Sequence, residues 1–434
     1  MKKTLISLAT ASLIASSAMA ADKGIDFTTT GQAVIYYETT AKNADNAVDI
    51  FNKDASVANV AVQINSAADL GNNLTFGSQI SYLGTTGLEK NLVSDTKQRS
   101  SATNASGSGL DAVNNTTDQL MLTKIFVAKQ IANTTVKVGR QELPKSLSPL
   151  AFTEGWNVLK NTFDAVLVVN SDLPNTTLVG AYVGRSTGHD LSTVGDLTVK
   201  SSAGALTVAK TAYMLTAQNT ALPMTTITGS YYALSGVAIA ESSTALWLDA
   251  KVADKTLPMG LKVGLQAGLI TSDNSAVEDT TAMGIKASIK PMPALTVCGV
   301  FTTVSGSTDK AAAAVKNTGT GVKTPLFSQM VANQDAIALD NATFMLKGAY
   351  SLGDMGKVIG QYGYTQGGQI NLMNAGRSAS GKVGVDYSEF DLMYKVKASG
   401  VQYFAALVNR SWSEKTTTDF DNQQIVRVWA RYSF

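Results

Sequence analysis

The chain has 434 residues and a single cysteine, Cys298, so an internal disulfide is excluded. Removing Lys2 and Lys3 with the signal peptide predicted below lowers Lys plus Arg from 35 to 33, against 33 Asp plus Glu, and this neutral balance argues against nucleic-acid binding. Although 44% of residues are hydrophobic, no run after residue 20 approaches the roughly 18 apolar residues of a transmembrane helix.

Residues 1–20 have the layout of a secretory signal peptide. Two lysines follow Met1, residues 5–14 are mostly apolar, and Ala18-Met19-Ala20 is a small-residue cleavage site. The apolar run is too short to cross a membrane. We therefore expect cleavage after Ala20, with residues 21–434 forming one domain; the alternative is a buried N-terminal helix.

From residue 28 onward, apolar and polar side chains alternate in short segments, the pattern of strands that have one face toward lipid and one toward water. The segments predicted as strands are 28–39, 57–65, 73–83, 118–130, 135–141, 162–173, 177–187, 205–217, 225–234, 243–252, 260–270, 281–290, 294–304, 341–352, 357–366, 382–397, 401–411 and 424–434. Short joints alternate with long polar ones, and all eight prolines fall in joints. We therefore predict an all-β fold, a transmembrane antiparallel β-barrel of 18 strands (16 being the alternative), with both termini on the periplasmic side.

The facing of side chains can be read where the alternation is regular. In 260–270 the apolar residues at 261, 263, 265 and 269 share one face and Lys262 lies on the other. By the same count Asp249, Lys251 and Lys286 face the lumen, because a charge on the lipid face near the midplane costs roughly 2–4 kcal/mol. The phase is irregular in 118–130 and 382–397, and in the second we expect a β-bulge near Ser388.

The last segment separates an apolar face from a basic one. Its apolar face carries Val426, Val428, Ala430, Tyr432 and Phe434. This pattern resembles the C-terminal strand of bacterial outer-membrane barrels, in which the final aromatic residue and its alternating partners are the signal for barrel assembly. We expect that role here, and we expect Arg427 and Arg431, on the other face, to point to water.

Residues 141–161 are predicted to fold into the barrel as a constriction loop. A barrel of 16 to 18 strands encloses a lumen that wall side chains alone cannot fill, and this loop is too apolar for one that extends into solvent. Packed inside, its charged residues Glu142, Lys145, Glu154 and Lys160 could ring an eyelet. The alternatives are a loop that caps the rim or one that contacts another subunit.

Three stretches carry a resemblance to a known family. They are Val138-Gly139-Arg140-Gln141-Glu142-Leu143 with the Pro149-Leu150 step, Asn161-Thr162-Phe163-Asp164-Ala165, and the strand that ends in Tyr182-Val183-Gly184-Arg185. They look like the OprD-like outer-membrane porins, and within that family the chain most resembles the major porins of epsilon-class proteobacteria. The resemblance implies an 18-stranded barrel, a third external loop that forms the constriction, passive diffusion of small hydrophilic solutes, and a homotrimer.

The predicted function is a water-filled outer-membrane channel for ions and small hydrophilic solutes. Charged rings select ions electrostatically, and a low-dielectric wall focuses their field. The candidate residues for pore constriction and lumen charge are Lys137, Arg140, Glu142, Lys145, Glu154, Lys160, Asp249, Lys251, Lys262, Lys286, Arg427 and Arg431. Apart from Arg427 and Arg431, most of these residues are lysines mixed with carboxylates. Substrate-selective members of the family have a ladder of lumen arginines instead, so we expect a general porin.

Two other functions stay open, a carboxylate- or amino-acid-selective porin and a surface structural or adhesin barrel without significant transport. An enzyme is not expected, since the only histidine, His189, has no serine motif around it. The expected partners are outer-membrane lipid and lipopolysaccharide, the barrel-assembly machinery, and small solutes. No cofactor is expected, but Asp273, Glu278 and Asp279 offer oxygen ligands of the kind that Ca²⁺ prefers, without the spacing of a known calcium loop.

Overall fold

In the computed structural model the described residues are 25–42, 48–85, 87–88, 91–98, 119–189, 191, 194–200, 206–236, 242–306, 310–367, 386–413 and 422–434. The predicted signal peptide lies outside them. Eighteen strands form the main sheet: β1 Phe27–Lys42, β2 Ser56–Asp69, β3 Leu74–Gly84, β4 Gln119–Ile131, β5 Thr134–Gln141, β6 Phe163–Asn170, β7 Thr176–Ser186, β8 Thr211–Asn219, β9 Thr225–Ser235, β10 Ser242–Ala253, β11 Lys262–Ser272, β12 Thr280–Met292, β13 Leu295–Val304, β14 Asn341–Ser351, β15 Lys357–Gly367, β16 Tyr387–Ala398, β17 Val401–Trp412 and β18 Gln423–Ser433.

The sheet closes on itself. Each strand pairs antiparallel with the next one in the chain, and β18 pairs with β1 in a register that sets Glu38 opposite Arg427. A closed sheet leaves no unpaired edge, which is the condition for crossing a membrane with strands. The prediction of an 18-stranded antiparallel barrel is therefore confirmed. The described residues include no α-helix with the length and apolarity needed to cross a membrane.

Two kinds of connection lie at opposite ends of the barrel. The connections at one end have two to eight residues. At the other end seven of nine have ten or more, and the remaining two, 236–241 and 273–279, have six and seven. Three short turns repeat one design, in which a proline is followed by a left-handed residue: Asn175 (φ 54°), Met224 (φ 59°) and Met259 (φ 52°). Proline fixes the φ angle at the first central position of the turn, and the left-handed residue occupies the second central position. The chain therefore reverses direction tightly. The predicted alternation of short turns with long loops therefore holds except at the connections 236–241 and 273–279.

Side chains alternate between the two faces of the wall as predicted. Leu246, Leu248, Leu265 and Ile285 are exposed on the outer surface, and their neighbours Trp247 and Gln266 are buried inside. The predicted lumen face of β10, β11 and β12 is therefore confirmed. Several strand boundaries differ by three or more residues. The first two strands extend to Lys42 and Asp69, 162–173 ends at Asn170, and 205–217 divides into β8 and a separate strand Leu206–Ala209, which pairs with Leu197–Lys200.

The phase irregularity in β4 has a structural cause. The pairing with β3 shifts between Gln79↔Lys124 and Ile80↔Leu122, which leaves Thr123 as the extra residue of a bulge. The prediction of a bulge near Ser388 is wrong, because the pairings of β16 run without a shift from Tyr387 onward. Residues 382–385 of that predicted strand lie outside the described residues.

At the short-turn end of the barrel, the seam between β1 and β18 is fixed by Gly31 and Phe434. Their backbones exchange two hydrogen bonds, Gly31 N to Phe434 O at 2.7 Å and Phe434 N to Gly31 O at 3.0 Å. A Cβ at residue 31 would lie 2.5 Å from the Phe434 ring and 2.7 Å from the Gln63 carbonyl oxygen. Glycine is therefore needed here for the aromatic ring to lie across the neighbouring strand.

Candidate functional site

The first inward loop, residues 142–162, packs inside the barrel as the sequence predicts. Leu143, Leu150, Phe152 and Leu159 are buried, and Thr162 Oγ1 donates to the carbonyl oxygen of Thr123 on the wall at 2.8 Å. Burial of these apolar side chains against the inner wall is favourable, and it fixes the position of this long loop. The alternatives of a rim cap or an exposed subunit contact do not fit this burial.

A second inward loop, residues 313–340 between β13 and β14, was not predicted. It hydrogen-bonds to three parts of the wall. Gln266 Oε1 accepts from Phe327 N at 2.9 Å, Ser328 and Thr302 hydroxyls lie 2.6 Å apart, and Glu389 Oε1 accepts from Ala332 N at 2.8 Å. Because these wall residues face inward, the loop lies within the lumen. Its buried apolar residues Leu326, Met330, Ile337 and Leu339 were the signal in the sequence that this segment would pack.

The two inward loops are joined by Asn317, which is fully buried. Its Oδ1 accepts from Phe152 N at 2.9 Å, and its Nδ2 donates to Phe152 O at 2.8 Å and to Glu154 Oε1 at 2.9 Å. Glu154 Oε1 also accepts from Lys323 N at 3.0 Å, whereas its buried Oε2 has no hydrogen-bond partner in the described residues. Glu154 therefore lies in the junction between the two loops. The sequence analysis predicted instead that it would line an open eyelet.

Two lysines on these loops have lowered pKa values. Burial lowers the pKa of Lys323 to about 7, and its Nζ donates to Val331 O at 2.8 Å and lies 4.6 Å from the centre of the Trp156 ring. The side chain of Lys145 is exposed toward the lumen, but protein surrounds it closely. The resulting loss of hydration lowers the pKa of Lys145 to about 8. Its Nζ donates to Thr324 O of the second inward loop at 2.9 Å. Both groups can change charge near neutral pH.

Below the loops, the wall on the short-turn side is rich in lysine. The predicted lumen residues Lys251, Lys262 and Lys286 project inward there, and Lys286 Nζ lies 4.1 Å from the centre of the Phe327 ring. The same face continues with Lys347, Lys357 and Lys395, which the sequence reading did not select. Their spacing from buried inward residues on the same strands could have identified them. We call these six residues the lysine wall.

Asp249 partly balances the lysine wall. It accepts hydrogen bonds from Trp247 Nε1 at 2.8 Å and from Gln266 Nε2 at 2.9 Å, so it is held in one orientation. Its charge interacts with that of Lys145 on the first inward loop. Asp249 therefore shares the inner face with Lys251, and its role in the charge of the pore stays a prediction.

Arg427 and Arg431 face inward but differ in their surroundings. Arg427 is buried and bonds Glu38 Oε2 at 2.6 Å across the closing seam, while Lys97 bonds the other oxygen at 2.7 Å. The expectation that Arg427 points to water is wrong, because β1 places a carboxylate directly opposite it. Arg431 is partly buried and donates from Nη2 to Val158 O of the first inward loop at 3.3 Å.

The charges at the end of β5 divide between the two faces. Lys137 faces inward, with its Nζ 3.7 Å from the centre of the Phe126 ring, and Glu142 pairs with both Lys124 and Lys160. The prediction that Arg140 contributes to the pore is wrong, because Arg140 lies on the outer face with Val138. A lumen role for Arg140 does not fit this position.

The loop proposed for calcium is engaged in other contacts. Asp273 Oδ2 accepts from Ser242 N and Ser242 Oγ, both at 2.9 Å, and Glu278 lies in a two-residue strand paired with Ala311–Ala312. Within the described part of the chain, no group of three or more His, Cys, Asp or Glu side chains is arranged to hold a metal ion. Calcium binding by Asp273, Glu278 and Asp279 stays a prediction.

The barrel is similar to solved structures of outer-membrane channels. OccK8 (OprE) of Pseudomonas aeruginosa matches at TM-score 0.71 and 12% identity, and OccAB4 of Acinetobacter baumannii at 0.72 and 10%. OpdK of Pseudomonas aeruginosa, in a structure with vanillate, matches at 0.70 and 12%. Each match covers 94% of this chain and 98% of the other. Protein-family models and curated protein sequences gave no match.

These likenesses define the fold class. The chain has the closed 18-stranded antiparallel barrel of OprD-like porins, as its resemblance to that family implied. The finer relationship to the porins of epsilon-class proteobacteria stays a prediction.

Proposed function

We propose that the protein is an outer-membrane porin, a water-filled channel through which ions and small hydrophilic solutes diffuse passively. The observation that carries the proposal is the lumen itself. Two loops packed against each other narrow a barrel that is otherwise too wide to be filled by its own wall. A structural barrel would not need two loops held inside it by buried polar contacts.

The lysine wall supports a preference for anions. Lys251, Lys262, Lys286, Lys347, Lys357 and Lys395 share the short-turn half of the lumen, and Asp249 lies on the same inner face. A ring of like charge raises the local concentration of the opposite ion, and the low-dielectric barrel wall strengthens this effect. An acidic lumen would have favoured cations.

A second candidate function is a channel selective for small carboxylates. OpdK, whose barrel is similar, was solved with vanillate, an aromatic carboxylate. The lysine wall could guide such an anion once it has passed the two loops. Lysines present single ammonium groups, whereas arginines offer a two-pronged match to a carboxylate, so we place the general porin first.

Planar-bilayer recording of the purified protein tests both candidates. We expect discrete conductance steps and a reversal potential under a KCl gradient that indicates preference for chloride. Block of the chloride current by millimolar vanillate or benzoate would favour the carboxylate-selective channel. The absence of discrete steps would reject any channel and leave the surface structural or adhesin barrel.

A further inference from the structure

Three charged residues form a cluster on the outer surface of the barrel. Arg140 Nε and Nη2 bond the two oxygens of Asp164 at 2.8 and 3.3 Å, and Arg185 Nη2 lies 2.9 Å from Asp164 Oδ2. We call Arg140, Asp164 and Arg185 the outer cluster. Their neighbours on this face, among them Leu122, Ile125 and Val166, are exposed apolar residues.

The outer cluster lies at the level of lipid headgroups. Arg140 and Arg185 are each the next-to-last residue of a strand, and Asp164 is the second residue of β6, all at the end that carries the long loops. Just nearer the middle of the wall, the rings of Tyr182 and Tyr213 lie 5.4 Å apart on the same surface. Exposed aromatic residues of this kind mark the membrane–water interface of outer-membrane barrels.

The outer cluster has one positive charge more than it can neutralise. Asp164 holds both guanidiniums in place, and Arg140 is held further by the carbonyl oxygen of Leu122 at 2.9 Å. The side chain of Arg185 is 57% exposed, so donors of its guanidinium remain accessible. A planar guanidinium with free N–H groups matches a phosphate oxygen pair, and an aspartate already in position reduces the ordering that binding requires.

We propose that the outer cluster binds a phosphate group of the glycolipid in the outer leaflet, with Arg185 as the main contact. The acyl chains of that lipid would lie against the apolar residues below the cluster. The proposal rests on the outer-membrane placement but not on transport, so loss of lipid binding and loss of conductance are separate results.

The test is titration of the purified protein with diphosphoryl lipid A, followed by native mass spectrometry or thermophoresis. We expect Arg185→Gln to weaken binding about tenfold, the effect of losing one charge-assisted hydrogen bond. Arg185→Lys should weaken lipid A binding less, because the positive charge remains and only the bidentate hydrogen bonding of the guanidinium is lost. Arg410→Gln is the matched control, since Arg410 lies at the same end of the barrel on the inner face and bonds Gln423.

Four outcomes would overturn the proposal. The first is equal lipid A affinity of the wild type and both Arg185 variants, and the second is unchanged affinity for lipid A that lacks its phosphates. The third is displacement of lipid A by inorganic phosphate at a similar concentration. The fourth is an Arg185→Gln effect that is confined to subunit association. The last outcome would identify the cluster as a contact between copies of the chain. Unchanged single-channel conductance in Arg185→Gln is expected in every case.

Discussion

At the scale of single residues, the buried pair of Glu38 and Arg427 shows how closure of the barrel uses charge. The two side chains are opposite each other in the seam, and the Arg427 guanidinium is also 5.9 Å from the centre of the Tyr36 ring. Burying two charges is costly, so the pair adds little net stability when intact but leaves a large penalty when one member is removed.

We therefore expect Arg427→Gln to destabilise the folded barrel by about 3 kcal/mol, because Glu38 would keep only Lys97 as a charged partner. The measurement is the temperature at which heat-modifiable gel mobility changes. Arg431→Gln is the control and should change that temperature little, because Arg431 lies on the same strand and face but has no ion pair among the described residues. Equal effects of the two substitutions would contradict the role given to the pair.

Lys323 makes the lumen charge depend on pH. Burial lowers the pKa of Lys323 to about 7, assisted by the charges of Arg427 and Lys97 and opposed by those of Glu154 and Glu389. Below pH 7 the folded protein therefore gains a positive charge that it lacks at pH 8. Since an unfolded lysine keeps its proton to about pH 10, stability should rise with pH between about 7 and 10.

We expect the preference for chloride, measured as reversal potential in a KCl gradient, to increase as pH falls from 8 to 6. In Lys323→Met this increase should be smaller, while Lys145→Met, whose lysine has a pKa of about 8, should lose the upper part of the change. If the Lys323→Met channel shows the same pH profile as the wild type, Lys323 is not the titrating group.

At the scale of elements, the two inward loops act as one unit because Asn317 satisfies backbone groups of both. Replacing it with alanine would leave the buried N–H of Phe152 without its acceptor, at a cost of about 1–3 kcal/mol, and would remove one donor each from Phe152 O and Glu154 Oε1. We expect Asn317→Ala to increase single-channel conductance and open-channel noise, because the two loops would be held together by fewer contacts.

Asn333→Ala provides a matched control for Asn317→Ala. Asn333 is an equally buried asparagine of the second inward loop, and its contacts are within that loop. It should disturb the loop locally without separating the two loops. Identical conductance changes in the two variants would show that the junction does not set the pore size.

The sequence predicts the strands well and the inward loops only in part. Strand alternation is a local signal, so β10, β11 and β12 could be assigned a lipid face and a lumen face residue by residue. The second inward loop depends on contacts between residues 142–162 and 313–340, about 160 positions apart in sequence, such as Asn317 with Phe152 at |i−j| = 165. Arg140 was misplaced because it was chosen for its position beside the loop; the pairings of β5 run without a shift, so alternation from Lys137 puts Arg140 on the opposite face.

At the scale of the whole molecule, barrel closure depends on the contact of Phe434 with Gly31. We expect Phe434→Asp to abolish assembly into the outer membrane while export continues, because an open seam leaves backbone groups in hydrocarbon at several kcal/mol each. The readout is heat-modifiable gel mobility of the membrane fraction. Ser433→Asp, one residue earlier on the lumen face, is the control and should assemble normally; normal assembly of Phe434→Asp would reject the role of the aromatic residue.

Closing the seam brings together Glu38 and Arg427, which are 389 positions apart. The entropy of loop closure grows only with the logarithm of length, so this step costs about 3 kcal/mol more than closing a ten-residue hairpin. Eleven residue pairs along β1 and β18 are available to offset that cost. Thermodynamically, the seam is therefore almost equivalent to any other strand pair. A circularly permuted chain, with residues 27 and 434 joined by a short turn and a new opening at Ala132-Asn133, should form the same ring.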